Sequence, residues 1–186
     1  GNPLLVSPEA LRESGDLPPG ALDPGAAFPA DRVDYGRVIE WKRALLKRSF
    51  EHFRARAGGE RRAELEEFRR ANSHWLEEFA LFMALKDAHG GAEWARWDRA
   101  LVLREKGALE SARARLRNEV AFHEYAQYQF ARQWASVRRA AREKGVRLVG
   151  DQVADGLDHV LILGMQARQG PQGRDLDVLV GVLGCL

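Results

Sequence analysis

The stretch Trp75–Leu101, WLEEFALFMALKDAHGGAEWARWDRAL, decides the fold. Its first half predicts an amphipathic helix, and Gly90-Gly91 predicts where that helix ends. Trp94 and Trp97 follow, three residues apart, in a short polar segment. Because aromatic residues at helical spacing usually belong to a core, we expect most aromatic side chains of this stretch to be buried. The side of the helix predicted to face the core carries Trp75, Phe79, Phe82 and Met83.

The flanking sequence predicts further helices on both sides of this stretch. Asp34 is a plausible cap for a helix that Gly58-Gly59 ends, and a second helix is expected from about Glu60 to Ala71. Asn72-Ser73 is then expected to cap the central helix, and a long helical run is predicted from about Ala108 to Lys144. The residues expected to face a core in the first two of these helices are Val38, Trp41, Leu45, Phe50, Phe53, Leu65 and Phe68.

The two ends of the chain differ from this helical middle. Residues 1–35 are rich in Pro and Gly and predict loops over a surface, with one short helix that Ser7 caps and that runs to about Glu13. After Gly145, residues 146–149 predict a short buried strand that ends at Gly150-Asp151. An acidic residue at such a strand end is typical of an α/β barrel, although a doubly wound sheet fits as well. Residues 152–186 contain two apolar runs that could form a short β-hairpin.

Length and composition favour an ordinary globular protein. The chain has 186 residues, 45% of them hydrophobic and 30% charged, which suits one domain with a sizeable core. No apolar run is long enough to cross a membrane, and no signal peptide is recognisable, so the cytoplasm is the expected location. The single cysteine, Cys185, excludes an internal disulfide and a cysteine-based zinc site.

The formal net charge of +2 conceals a basic middle, because basic residues outnumber acidic ones between residues 36 and 150. A basic, helical segment could bind nucleic acid, and a helical interaction or nucleic-acid-binding protein is therefore the alternative function. The basic residues alternate with glutamates at helical spacing, however, as in GERRAELEEFRR. This pattern favours solvated helix faces with internal ion pairs.

Few residues are arranged for chemistry. His123-Glu124-Tyr125-Ala126-Gln127 begins like the H-E-x-x-H zinc motif, but Gln127 replaces the second histidine, so this motif is rejected. No phosphate-binding loop and no G-x-S-x-G nucleophile elbow is present. Asp151 is the only carboxylate expected at a strand end. Glycoside chemistry needs two carboxylates, and the sequence offers no second one in a comparable position.

Several segments together resemble the amylomaltases, the bacterial 4-alpha-glucanotransferases of glycoside hydrolase family 77. They occur in the family's order and extend over residues 1–151. From Gln152 onward the resemblance stops, since the family's strand continues G-D-x-P-I. A frameshift, a truncated or fused gene, or an artificially assembled sequence would each explain this. The segments that carry the resemblance are Gly1-Asn2-Pro3, Val33-Asp34-Tyr35 with Trp41-Lys42, Trp75 to Lys86, Trp94-Ala95-Arg96-Trp97, the set Phe122, Gln127, Phe130, Gln133 and Trp134, and Gly145 to Asp151.

The resemblance implies a (β/α)8 barrel with helical insertions, so this chain is expected to be mainly α with a small β component. Residues 36–145 would be a helical subdomain and residues 146–151 a barrel strand. It implies transfer of α-1,4-glucan segments, as in maltodextrin and amylose, with retention through an Asp nucleophile, a Glu acid/base and a second, stabilising Asp. No metal or organic cofactor, nucleic acid or membrane is implied.

The resemblance assigns one site residue, Asp151, which matches a sugar-contacting position. The family's three catalytic carboxylates all lie beyond the matching stretch, so no catalytic residue is assigned here. The 186 residues alone are therefore expected to be inactive. A glucan-binding remnant without catalysis is a third possibility. The sequence does not define an oligomeric state.

Overall fold

The computed structural model describes residues 1–22, 28–29 and 31–148, and this part of the chain is mainly helical. Its elements are short 3-10 turns and α-helices joined by short connections, and no strand occurs within the described ranges. The helices are α1 (Pro8–Glu13), α2 (Tyr35–Arg56), α3 (Gly59–Ala71), α4 (Ser73–Ala88), α5 (Arg99–Val102), α6 (Lys106–Arg115) and α7 (Arg117–Glu143), with 3-10 turns at Pro3–Leu5 and Trp94–Arg96.

Two predicted helix starts are confirmed by their capping hydrogen bonds. The Ser7 hydroxyl accepts from the Ala10 amide at 3.2 Å, and Pro8 occupies the first turn of α1. The Asp34 carboxylate accepts from the Arg37 amide at 3.3 Å and begins α2. Each cap satisfies a backbone donor that has no partner inside its helix.

The predicted glycine break after α4 is also confirmed. Gly90 and Gly91 both have positive φ, and the Gly91 amide donates to the Lys86 carbonyl at 2.8 Å. The Gly90 amide donates to the Asp87 carbonyl at 3.1 Å, which completes a Schellman motif. Glycine adopts this left-handed backbone without a steric cost, so the chain reverses here and returns towards α4.

Two boundary predictions were wrong in detail. Asn72 precedes α4, but its side chain makes no capping bond; it donates to the Phe68 carbonyl at 2.8 Å and accepts from the Trp75 indole at 3.1 Å. The predicted run from residue 108 to residue 144 is two helices, because Leu116 leaves helical geometry between α6 and α7. Leu116, like Ala108 and Leu109 of α6, packs against a core cluster, called the second core cluster, of Leu81, Leu85, Trp97, Leu101 and Ala112.

The first core cluster joins α2, α3 and α7 with the N-terminal segment. Its aromatic rings pack at edge and tilted angles, with centroids 5.0 Å apart for Phe53 and Tyr125 and 5.4 Å apart for Phe50 and Tyr125. Such pairs add about 0.5–1.5 kcal/mol each to the hydrophobic burial. The cluster comprises Val6, Leu11, Leu17, Ala21, Leu45, Leu46, Phe50, Phe53, Leu65, Phe122, Tyr125 and Tyr128.

The second core cluster lies between α4, α5 and α6 and corrects the prediction for the central stretch. The buried face of α4 carries Leu76, Ala80, Leu81, Ala84 and Leu85. The aromatic side chains expected there lie elsewhere: Trp75 and Phe79 are half-buried, and Phe82 and Trp94 are exposed. Of the two tryptophans that follow α4, Trp97 is buried and packs on Leu81, Leu85, Leu101 and Ala112. The small alanines let α4 approach its neighbours, which the bulkier rings would prevent.

The described chain divides into two compact units, residues 1–133 and residues 134–186. In the second unit the described part is the end of α7 and the segment up to Leu148, and Gly145 ends the helix with φ +67°. Residues 146–148 are not in a strand. Since a strand needs a hydrogen-bonding neighbour and none is present in the described residues, the predicted strand is not formed there. Its remainder, with Gly150-Asp151 and the 152–186 tail, lies outside the described residues.

No helix in the described part of the chain combines the length and the apolar character needed to span a membrane.

Candidate functional site

Asp151, the one residue predicted to contact substrate, lies outside the described residues, and so does Cys185. The residues on which the family resemblance depends are largely described. Three features of the described residues bear on function: a pair of glutamines on α7, a buried polar network, and an aromatic groove beside α4.

The two glutamines bind the backbone of the opening segment. Gln127 accepts from the Gly1 nitrogen at 2.6 Å and donates to the Gly1 carbonyl at 2.9 Å. Gln133 accepts from the Ser7 amide at 2.7 Å and donates to the Ser7 carbonyl at 3.2 Å. Each side-chain amide thus bonds to both the nitrogen and the carbonyl oxygen of one residue, as a residue of a neighbouring strand would. Gln127 and Gln133, which both belong to the motifs that carry the family resemblance, therefore fix the path of residues 1–7.

Lys42 and Phe130 complete this attachment. The Lys42 ammonium donates to the Leu4 carbonyl at 2.6 Å and to the Val6 carbonyl at 3.1 Å, and burial lowers its pKa. A Cβ atom at Gly1 would lie 2.0 Å from the Phe130 ring, so the opening residue must be glycine unless the ring moves. The contacts of these residues are intramolecular and serve the fold.

A buried polar network lies under α1 and connects α2, α3 and α7. The Asp16 carboxylate is 4% exposed and accepts, at one oxygen, from Arg61 at 2.5 Å and from Gln129 at 2.9 Å. Gln129 also donates to the Tyr125 hydroxyl, which lies 2.7 Å from the Ser49 hydroxyl. Ser49 donates to the Asp16 carbonyl at 2.9 Å, so the Tyr125 proton must point to Ser49. Burial raises the pKa of Tyr125, and the phenol stays protonated.

His123, from the rejected zinc motif, contacts a carboxylate and no second histidine. Its Nε2 atom lies 3.1 Å from Asp87, which also pairs with Arg43 at 2.7 Å. Burial lowers the pKa of His123 despite this carboxylate, so the imidazole is neutral at pH 7. Across the described ranges, no group of three or more His, Cys, Asp or Glu side chains is arranged to hold a metal ion.

Many arginines of the basic middle have acidic partners. Arg104 and Arg113 both contact the Glu78 carboxylate, and Arg69 lies 2.7 Å from Glu124. Arg61 is paired with Asp16, as described above. These pairs join different segments of the chain and reduce the positive potential of the surface that a phosphate backbone would need.

The aromatic groove is a concave surface of about 350 Å³ beside α4. Leu81, Leu85 and Trp97 line it on the core side, and Phe82 and Trp94 line it towards solvent. Trp94 is 55% exposed and Phe82 41% exposed, so this groove presents aromatic surface to solvent. The remaining lining residues are Glu78, Leu101, Val102, Arg104 and Leu109.

The sequence prediction missed this groove because it assigned the aromatic side chains to the core. One signal could have found it: Trp94 stands between the charged residues Glu93 and Arg96, just after the helix has ended at two glycines. A large apolar ring in a polar turn has no helix face to bury it.

Comparisons with known proteins agree with the motif pattern. A family model described as 4-alpha-glucanotransferase matches residues 1–154. The curated 4-alpha-glucanotransferase of Thermus thermophilus is 44% identical over 151 residues, which cover 81% of this chain and 29% of that protein. The 4-alpha-glucanotransferase of Synechocystis sp. is 41% identical over 150 residues, which cover 81% of this chain and 30% of that protein.

The fold of the described helices also has a counterpart among solved structures. The structure of amylomaltase from Streptococcus agalactiae in complex with acarbose superposes with a TM-score of 0.72 at 29% sequence identity. The superposition covers 80% of this chain and 30% of that one. The chain thus spans about 30% of the length of the relatives it matches. Because the family match extends over most of its residues, the chain belongs to the 4-alpha-glucanotransferase family.

Proposed function

We propose that this chain is the helical subdomain of an enzyme that transfers α-1,4-glucan segments between maltodextrins. The observation that carries the proposal is the family match over residues 1–154, together with the same helical fold in an amylomaltase whose structure contains acarbose. The reaction is a retaining double displacement, in which a carboxylate forms a covalent glycosyl intermediate and an acid/base residue assists both steps.

Within this proposal the 186 residues have a supporting role. The glutamine pair and Lys42 hold residues 1–7 against α7, and α7 leads through Gly145 to the segment that ends in Asp151. Asp151 would accept hydrogen bonds from sugar hydroxyls at the end of a barrel strand. The nucleophile and the acid/base come from residues beyond the matching stretch. No metal or organic cofactor takes part, and the cytoplasm remains the expected location.

A transfer assay with a chimera tests the proposal. Residues 1–151 replace the matching segment of the full-length Thermus thermophilus enzyme, and maltotriose is the substrate. We expect glucose and longer maltodextrins from the chimera and no product from the 186 residues alone. Asp151→Asn in the chimera should lower transfer by about 10–100-fold, since a hydrogen bond to a charged group contributes about 1.5–3 kcal/mol. Asp31→Asn, at an exposed position, is the matched control.

Three results would contradict the proposal. The first is a chimera that unfolds cooperatively, and is therefore folded, but leaves maltotriose unchanged. The second is an Asp151→Asn chimera as active as the Asp31→Asn control, which would remove Asp151 from the sugar site. Transfer by the 186 residues alone would show that they contain their own nucleophile, contrary to the role proposed here.

A further inference from the structure

We propose that the aromatic groove beside α4 is a binding site for a short α-1,4-glucan segment, with the Trp94 indole as its stacking surface. The choice of glucan as the ligand rests on the proposed function. The groove itself is defined by the structure, through its exposed aromatic rings, its rigid floor and its polar rim.

The dimensions of the groove suit a small ligand. Its volume of about 350 Å³ lies within the range of small-molecule sites, and its walls are mostly apolar with a few polar groups at the edge. The C–H face of a pyranose ring is apolar and flat, so it can pack on an indole as another ring would. An exposed tryptophan such as Trp94 is costly to hydrate, and covering it would remove apolar surface from water.

The floor of the groove is held in place before any ligand binds. The Trp97 indole donates to the Ala92 carbonyl at 3.2 Å, and its ring stacks on His89 with centroids 5.0 Å apart. The Phe82 ring packs on the Trp97 ring with centroids 5.4 Å apart. Trp94 is the first residue of the 3-10 turn Trp94–Arg96, which directly precedes Trp97. A preformed surface loses little side-chain entropy on binding, which favours a weakly interacting ligand such as a sugar.

The rim selects a neutral, hydroxylated ligand. The polar lining residues are Glu78 and Arg104, whose carboxylate and guanidinium groups contact each other, so an acceptor and a donor lie side by side at the groove. A sugar hydroxyl both donates and accepts hydrogen bonds and can use both kinds of group at once. A polyanion or a polycation would instead require a rim of one sign. Arg104 has φ +55°, an uncommon conformation outside glycine, and such residues are frequent at ligand-binding positions.

Calorimetric titration of the 186-residue protein with maltoheptaose tests this site. The matched variants are Trp94→Ala and Leu103→Ala; Leu103 is 59% exposed and does not line the groove. We expect Trp94→Ala to weaken the affinity about tenfold, which corresponds to about 1.4 kcal/mol. Leu103→Ala should leave the affinity unchanged. Cellohexaose, with β-1,4 linkages, should bind more weakly than maltoheptaose to the unmodified protein.

Several outcomes would overturn the proposal. They are no heat of binding with maltoheptaose, equal affinity in Trp94→Ala, or self-association that Trp94→Ala abolishes, which would assign the groove to a second copy of the chain. Far-UV circular dichroism of both variants establishes that each is folded. Binding by this chain requires no catalysis, so the two experiments are independent. A titration without binding would contradict the groove site and not the transfer proposal, and an inactive chimera would contradict the transfer proposal and not the groove site.

Discussion

Replacing Asp16 by alanine is expected to lower the free energy of unfolding by about 3–5 kcal/mol, because it removes one partner of a buried ion pair. The carboxylate is 4% exposed, and one of its oxygens accepts from Ser14 at 2.8 Å, Arg61 at 2.5 Å, Gln129 at 2.9 Å and Arg132 at 3.2 Å. Arg61 keeps Glu64 as a partner at 3.0 Å, which places the expected loss towards the lower end of that range.

Asp16→Asn separates charge from shape. The amide keeps an acceptor oxygen where the carboxylate oxygen stood, so the four donors retain a partner. What is lost is the charge that strengthens the hydrogen bonds from the two guanidinium groups, so the expected destabilisation is smaller, about 1.5–3 kcal/mol.

Urea unfolding followed by far-UV circular dichroism measures both variants. The midpoint should fall with an unchanged slope, since the change affects stability and not the surface exposed on unfolding. The control is Glu110→Ala, which removes the exposed ion pair between Glu110 and Lys106, whose charged atoms are 3.9 Å apart. It should change the free energy of unfolding by less than about 0.5 kcal/mol. The reasoning is refuted if Asp16→Ala costs no more than this control. If asparagine costs as much as alanine, the lost charge alone accounts for the destabilisation, and the smaller loss predicted for asparagine is wrong.

Two further predictions concern α7. Because burial holds the pKa of His123 below its ordinary value of 6.5, the unfolded chain binds the proton first as the pH falls. The stability from neutral His123 is therefore complete above pH 6.5 and is lost as the pH falls towards the folded pKa. The free energy of unfolding, measured with urea, should therefore fall less steeply between pH 7.5 and 5.5 in His123→Gln than in the unmodified protein. The exposed His74→Gln is the control and should keep the original pH dependence. Gln133→Leu should accelerate hydrogen exchange at the Ser7 amide, measured by NMR, because it removes the acceptor of that amide. Exchange at the Leu46 amide of α2 should stay unchanged. A Ser7 amide that exchanges as slowly as in the unmodified protein would count against the glutamine contact.

The helix ends were predictable because each depends on a local signal. Ser7 and Asp34 cap their helices with their own side chains, and Gly90-Gly91 adopts a backbone that glycine reaches most easily. The break at Leu116 has no such signal. Neither proline nor glycine stands there, and the half-buried Leu116 packs against the second core cluster at the break. Tertiary packing therefore decided a boundary that propensity could not.

The network around Asp16 lies between these two cases. The sequence shows that Asp16, Ser49 and Gln129 are polar, but it does not bring together residues separated by 33 and 113 positions. Their pairing follows from the fold, since a buried hydroxyl or carboxylate without a partner would be destabilising. The aromatic periodicity of α2 and α7 predicts the helices on which these residues lie, and their contacts require the structure.

The central stretch shows why the groove was missed. Leucine, alanine, phenylalanine and methionine occupy most of the circumference of α4, so the amphipathic pattern predicted for it does not decide which apolar face is buried. Close approach between helices then decides which face is buried, and it favours Ala80 and Ala84. Phe82 is left outside, and Trp94, in the turn beyond Gly91, stands beside it. Packing the backbone tightly on the small residues thus leaves the large rings exposed on one surface, and that surface is the proposed glucan site.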